Sequence, residues 1–155
     1  MTRFHRMKKL SLLLSTLILL SLTACSAPGF SEKKVKKEYF TNGQIRTEFI
    51  MDDDTEQNGV LKKYGYNGEL TSTVNIKNGV KDGYEIGYDE KKRMLWKHTY
   101  LNGRLQGQQY AYYPNGDVMY SYTYQSGVKN GVAQTYNKDG SVHQKVMYRN
   151  GRITN

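Results

Sequence analysis

The sequence repeats itself every 24 residues, and this recurrence constrains the fold more than any other feature. Tyr64, Tyr88, Tyr112 and Tyr136 stand 24 apart; so do Gly59, Gly83, Gly107 and Gly131, and again Gly79, Gly103, Gly127 and Gly151. Leu70, Met94, Val118 and Val142 keep an apolar residue at the same step, and Tyr100, Tyr124 and Tyr148 an aromatic one. Gly68, Gly116 and Gly140 share a further phase, with Lys92 in the missing place. A fixed period of this size means that one supersecondary unit is stacked on copies of itself. The first copy is irregular, because Phe40 keeps the spacing to Tyr64 while Gly43 falls one residue early. End copies commonly depart from the pattern, since they cap the stack.

Each unit reads as a β-hairpin. Val118, Tyr120, Tyr122 and Tyr124 alternate with Met119, Ser121 and Thr123, which is the period of two expected of a strand with two unlike faces. Asn-Gly pairs at 42–43, 67–68, 78–79, 102–103, 115–116, 130–131 and 150–151 bracket such runs. Asn-Gly favours tight hairpin turns, in which both central residues take φ > 0. No helical period appears after residue 40. The expected fold class is therefore all-β: an elongated, single-layer antiparallel meander of about ten strands. One layer covers its apolar face only by twisting, so a curled ribbon is expected.

The residues that define the unit also resemble a known family. Tyr112-Tyr113-Pro114-Asn115-Gly116 followed by a strand, and then Tyr124, Gly127 and Gly131, are similar to the bacterial variant of MORN repeats, over residues 39–152. The resemblance implies a scaffold of hairpin repeats and says little about activity, because such repeats accompany many functions. Some bacterial members are named as antitoxin-like proteins. The eukaryotic repeat is linked to phosphoinositide lipids through a His-Gly-x-Gly stretch; no His precedes the repeat glycines here, so that role does not carry over.

The N-terminus is of another kind. Arg3, Arg6, Lys8 and Lys9 precede an apolar run over 10–24, the pattern of a cleaved secretory signal. The run is shorter than the roughly 20 residues a helix needs to span hydrocarbon. It ends in Leu22-Thr23-Ala24-Cys25, which resembles the lipobox of bacterial lipoproteins. That resemblance implies thioether lipidation at Cys25, cleavage before it, and anchoring to membrane lipid; Ser26 in place of Asp implies the outer membrane where the cell has one, and otherwise the outer face of the cytoplasmic membrane. Residues 1–24 are thus the signal peptide, expected as a helix, and residues 25–38 a tether. Its Pro28-Gly29 breaks regular structure, and its lysines are read either as a solvated spacer or as a contact to anionic headgroups. Residues 39–152 are the repeat domain and residues 153–155 a tail.

Composition excludes much. The formal charge of +9 falls to +5 when the four signal-peptide cations leave, too little to suggest nucleic acid as a partner. A single Cys rules out an internal disulfide or a multi-cysteine metal site. The acidic stretch 52–59 lacks the spacing of an EF-hand loop, and His98 and His143 are out of phase for a metal pair. No nucleophile elbow or phosphate-cradling loop is present, so no catalytic residues, cofactor or metal are expected and the protein reads as a non-enzyme. The candidate partner-binding residues are Trp96, Tyr110, Tyr112, Tyr120, Tyr122 and Tyr124, with Tyr113 beside them, because exposed Tyr and Trp dominate binding hot spots. The alternative is that these rings are repeat core. The leading expectation is an envelope scaffold that binds another envelope protein, with a toxin-neutralising immunity protein and a glycan or cell-wall binding module as alternatives.

Overall fold

The computed structural model describes residues 33–154; the apolar N-terminal run and Cys25 lie outside them. Twelve strands follow one another: β1 (Val35–Tyr39), β2 (Ile45–Met51), β3 (Gly59–Tyr64), β4 (Leu70–Lys77), β5 (Val80–Tyr88), β6 (Met94–Leu101), β7 (Arg104–Leu105), β8 (Gly107–Tyr112), β9 (Val118–Gln125), β10 (Val128–Tyr136), β11 (Val142–Arg149) and β12 (Arg152–Thr154). They form one open antiparallel sheet in chain order, with the short β7 set beside β6 off the main path. No helix occurs among the described residues. The first strand takes in residues that the sequence assigned to the end of the tether.

Apart from the longer loop 52–58 between β2 and β3, two turn types alternate along the ribbon. At residues 40–44, 65–69, 89–93, 113–117 and 137–141 the first residue donates its N–H to the carbonyl of the fifth, and the fourth donates to the carbonyl of the first. Only the fourth residue is left-handed, for example Gly116 at φ 95° and Lys92 at φ 60°. This is a type I turn closed by a bulge residue, so the expectation that both residues of every Asn-Gly pair take φ > 0 fails at 42–43, 67–68 and 115–116. It holds at the two-residue turns 78–79, 102–103 and 150–151, which are joined by Ser126-Gly127. The pair Asn130-Gly131 is no turn at all. Gly131, at φ 119°, lies inside β10, where the register to β9 slips between Lys129 and Ala133. It is a β-bulge.

Each two-residue turn is stitched to the hairpin before it. Gly79, Gly103, Gly127 and Gly151 donate their N–H groups to the carbonyls of Gln57, Lys81, Leu105 and Lys129 at 2.8–2.9 Å. Beside these bonds the N–H groups of Asn78, Asn102 and Ser126 reach side-chain oxygens of Asn58, Asp82 and Gln106, each at 2.9 Å. At the N-terminal end the tether lysines meet the acidic loop: Lys33 with Asp52, Lys34 with Asp54 and Lys36 with Glu56, at 2.7–2.8 Å. These pairs are exposed and orient the entry of the chain more than they stabilise it.

The core is thin. The buried apolar residues are Met51, Val74, Ala111 and Ala133, accompanied by buried Ser72, Glu85, Gln109 and Ser121. Cross-strand partners share a face. The front face, that of Val74, therefore also carries Leu61, Glu85, His98, Gln109, Tyr122, Ala133 and Val146 through the chain of partnerships β3–β4–β5–β6 and β8–β9–β10–β11. The back face carries the alternate residues of these strands, many of them polar. Thr71, Lys77 and Lys145 are exposed, but Ser121 is only 4 % exposed, because Tyr110 and Gln134 flank it as its cross-strand partners.

Candidate binding face

The six aromatic residues singled out in the sequence do not form one surface. Trp96 is partnered with Gly87 on one side and Ala111 on the other, Ala111 with Tyr120, Gln109 with Tyr122, and Gly107 with Tyr124. This chain of partners places Trp96, Tyr120, Tyr122 and Tyr124 on the front face. Tyr110 pairs with Lys97 and Ser121, which lie on the back. Tyr112 stacks on Tyr110 there, with ring centres 6.2 Å apart. All six rings are half-buried. Tyr113 leaves the sheet to donate its hydroxyl to the carbonyl of Tyr136 at 2.8 Å, tying neighbouring turns together.

The front-face site is built around Trp96. Its ring lies across Gly87: a Cβ on that glycine would come within 2.2 Å of Cε2. The glycine thus lets the indole lie flat on the sheet, an aromatic covering of a strand glycine. On its other side the indole stacks with His98, centres 4.5 Å apart. Further along the ribbon Tyr120 and Tyr122 meet edge to face at 5.3 Å, a favoured aromatic geometry. The ammonium of Lys129 sits 4.0 Å from the centre of the Tyr122 ring and 5.1 Å from that of Tyr148, within cation–π reach of both.

A polar cluster missed in the sequence lies beside Trp96. Glu85, 6 % exposed, accepts from Lys81 Nζ at 2.6 Å, and Lys81 also stands 4.8 Å from the centre of the Tyr100 ring. Burial acts to lower the pKa of the Lys81 ammonium, but the hydrogen bond and charge of Glu85 outweigh it and hold the pKa above its usual value. His98, the cross-strand partner of Glu85, is pushed the other way. Burial lowers its pKa, the charge of Glu85 opposes this and that of Lys81 adds to it, which leaves the pKa below the usual histidine value. Glu85 was detectable in the sequence: it occupies the repeat position held by Leu61 and Ala133 in other copies.

Gln109, at the same repeat position and 3 % exposed, is structural. Its Oε1 accepts the N–H of Thr99 at 2.6 Å, and its Nε2 donates to the carbonyls of Gln106 and Gly107 at 3.0 Å each. It closes the gap where β6 and β8 separate, their ladder being limited to Trp96–Ala111 and Lys97–Tyr110.

The front face ends in an open groove of 140 Å³ lined by Tyr122, Ala133, Thr135, Val146, Tyr148 and Ile153, among others. Elsewhere, Asp53 of the acidic loop accepts from Thr55 and Asn58, so its oxygens are used within the loop. His98 and His143 lie on β6 and β11, with β8, β9 and β10 between them, and do not form a pair.

No protein-family model matches this chain, and no curated protein matches it. Among solved structures, a mutant form of S. aureus TarM in complex with fondaparinux, alpha-GlcNAc-glycerol and UDP is similar at a TM-score of 0.45 and 8% identity, over 68% of this chain and 20% of that one. A second TarM structure gives 0.47 and 11%, over 70% and 21%. This chain spans about a fifth of the TarM chain, and a likeness of this degree transfers no activity.

Proposed function

We propose that this protein is a lipid-anchored, non-catalytic scaffold of the bacterial cell envelope that captures a partner protein on the front face of its sheet. One observation carries the reading: Trp96, Tyr120 and Tyr122 form a run of half-exposed rings on a sheet face that no second layer covers among the described residues. Rigid aromatic side chains of this kind contribute most of the energy at protein interfaces. The strand starts at Leu70, Met94, Val118 and Val142 support a 24-residue structural repeat and, with it, the resemblance to MORN-like scaffolds. In this reading Cys25 carries the lipid. Residues 26–34 then reach roughly 30 Å at full extension, which keeps the ribbon close to the membrane.

The split of the tyrosines between faces supplies a discriminating experiment. The partner is captured by cross-linking in native membranes and compared among wild type, Tyr120→Ala/Tyr122→Ala and Tyr110→Ala/Tyr112→Ala, with circular dichroism as the folding control. The front pair abolishes capture and the back pair leaves it intact. Equal effects from both pairs, with the fold preserved, refute a front-face site. Labelled fatty acid enters the wild type and not Cys25→Ser; label retained in that variant removes the anchor from the proposal.

A further inference from the structure

The C-terminal end of the ribbon differs from the rest in charge and in backbone pairing. Residues 33–69 carry seven Lys or Arg against seven Asp or Glu, whereas residues 118–154 carry Lys129, Lys138, Lys145, Arg149 and Arg152 against Asp139 alone. The ion pairs among the described residues all lie between Lys33 and Arg93, so none of these five cations has a carboxylate partner there. β12 pairs with β11 only at Met147, Tyr148 and Arg149. Among the described residues, 142–146 therefore have β10 on one side and no strand on the other.

This free edge is two-faced. Gln144, Val146 and Tyr148, with Ile153 across from Tyr148, line the apolar groove of the front face. Lys145, Met147 and Arg149 point to the back by alternation, and Arg152 joins them as the cross-strand partner of Arg149. The backbone orientation follows from the last turn. In a two-residue hairpin the residues flanking the turn, here Arg149 and Arg152, exchange hydrogen bonds. Alternation then turns the N–H and C=O of Met147 toward Thr154 of β12, whose hydroxyl donates to the Met147 carbonyl, and those of Lys145 toward the open edge beyond it.

We propose that the outer edge of β11 accepts an extended acidic segment of a partner protein as an added strand, apolar side chains entering the Val146–Tyr148–Ile153 groove and carboxylates facing Lys145, Arg149 and Arg152. Strand addition supplies affinity through main-chain bonds and selectivity through alternate side chains. A second copy of this chain is a poor occupant. Its own C-terminal edge repeats the three cations, and like charges facing each other across strands destabilise such a pairing; pairing with the β1 edge, whose Lys36 and Lys37 already meet Glu56 and Glu48, is the self-association that the test reads. Membrane headgroups would satisfy the cations and leave the main-chain groups and the groove unused. The inference rests on the scaffold reading and names the chemistry of its partner.

The test titrates the purified full chain in detergent with a labelled, capped peptide alternating Val and Glu, followed by fluorescence anisotropy. The Val/Glu peptide binds, weakens as salt rises, and outcompetes a Val/Lys peptide. Arg149→Glu/Arg152→Glu weakens the acidic peptide by roughly tenfold or more and admits the basic one. Lys145→Ala keeps part of the binding; Lys145→Pro, which removes the outward N–H at a place where an edge strand tolerates proline, loses it. An N-methylated Val/Glu peptide, unable to donate main-chain bonds, fails on wild type and makes the same point without altering the protein. Equal binding of the acidic and basic peptides overturns the proposal, as does undiminished binding of the N-methylated peptide or association of the chain with itself through this edge. If Tyr120-dependent capture persists while the peptide fails, only this inference falls; if capture fails too, the scaffold reading falls with it.

Discussion

Replacing Gly87 by Ala tests the centre of the proposed site with the chain's own reporter. Trp96 is the single tryptophan, and an alanine Cβ at position 87 would lie 2.2 Å from its Cε2, 2.3 Å from Nε1 and 2.6 Å from Cζ2. Gly87 is not among the positive-φ residues, so its backbone accepts alanine without strain. In an open site Gly→Ala of this kind stabilises by about 0.4–1 kcal/mol, through the unfolded chain. Here the ring must retreat from 2.2 Å toward the 3.4 Å of ordinary contact, surrendering its seat on the sheet and its stack with His98. Overpacking of this sort costs about 1–3 kcal/mol, so the net effect is a loss of roughly 0.5–2 kcal/mol. Urea denaturation reads the loss, and indole emission shifts to the red as the ring gains solvent. The sign reverses in a Trp96→Ala background, where Gly87→Ala becomes stabilising; circular dichroism completes the double-mutant cycle. A penalty of the same size with and without Trp96 would refute the account.

Three further outcomes follow from the buried polar groups. Lys81→Met strands the carboxylate of Glu85 in a site 8 % exposed and costs about 3 kcal/mol in chemical denaturation. Glu85→Leu frees a lysine that is already 36 % exposed and able to swing into water, so its cost is smaller, and the reverse order would contradict the geometry. Gln109→Leu leaves the N–H of Thr99 and the carbonyls of Gln106 and Gly107 without their partner, destabilising by about 2–3 kcal/mol; protection of the Thr99 amide from hydrogen exchange falls with it. Burial acts to raise the pKa of Glu48, but the Tyr64 hydroxyl, with Lys62 and Lys37 after it, holds the pKa below the usual carboxylate range. A carboxyl depressed in the folded state stabilises above its unfolded pKa, and the contribution disappears as pH falls through the folded value. Melting temperature therefore drops on acidification below the usual carboxylate range, and Glu48→Gln flattens that limb; identical profiles would count against the Glu48–Tyr64 bond at 3.1 Å.

The strands were legible in the sequence because polar–apolar alternation and turn chemistry act locally. Val118 through Tyr124 reads as a strand without knowledge of its neighbours, and Lys92 standing where other copies have glycine still marks a left-handed residue, at φ 60°. What escaped was whatever depends on pairing. Asn130-Gly131 carries the same residues as a turn, yet the ladder continues on both sides of it and converts it to a bulge. Tyr110 and Tyr120 were grouped by nearness in sequence, but Tyr110 pairs with Ser121 while Tyr120 pairs with Ala111, a one-residue offset that sends their rings to opposite sides. Glu85 was passed over because its partner Lys81 lies across a slip in the β4–β5 register, where Gly83 at φ 96° interrupts the ladder, a contact that periodicity does not encode.

The strict chain order of the sheet has a mechanical side. Every ladder joins strands that follow one another closely along the chain, so closing each hairpin spans little sequence and assembly can advance quickly from any starting hairpin. Tension applied between the two ends of the sheet acts on this arrangement as on a zipper: β12 and β1 detach first, and the hydrogen bonds of each next ladder open in succession instead of sharing the force. Pulled in this way the ribbon lengthens in steps at low force, and once slack it re-forms hairpin by hairpin.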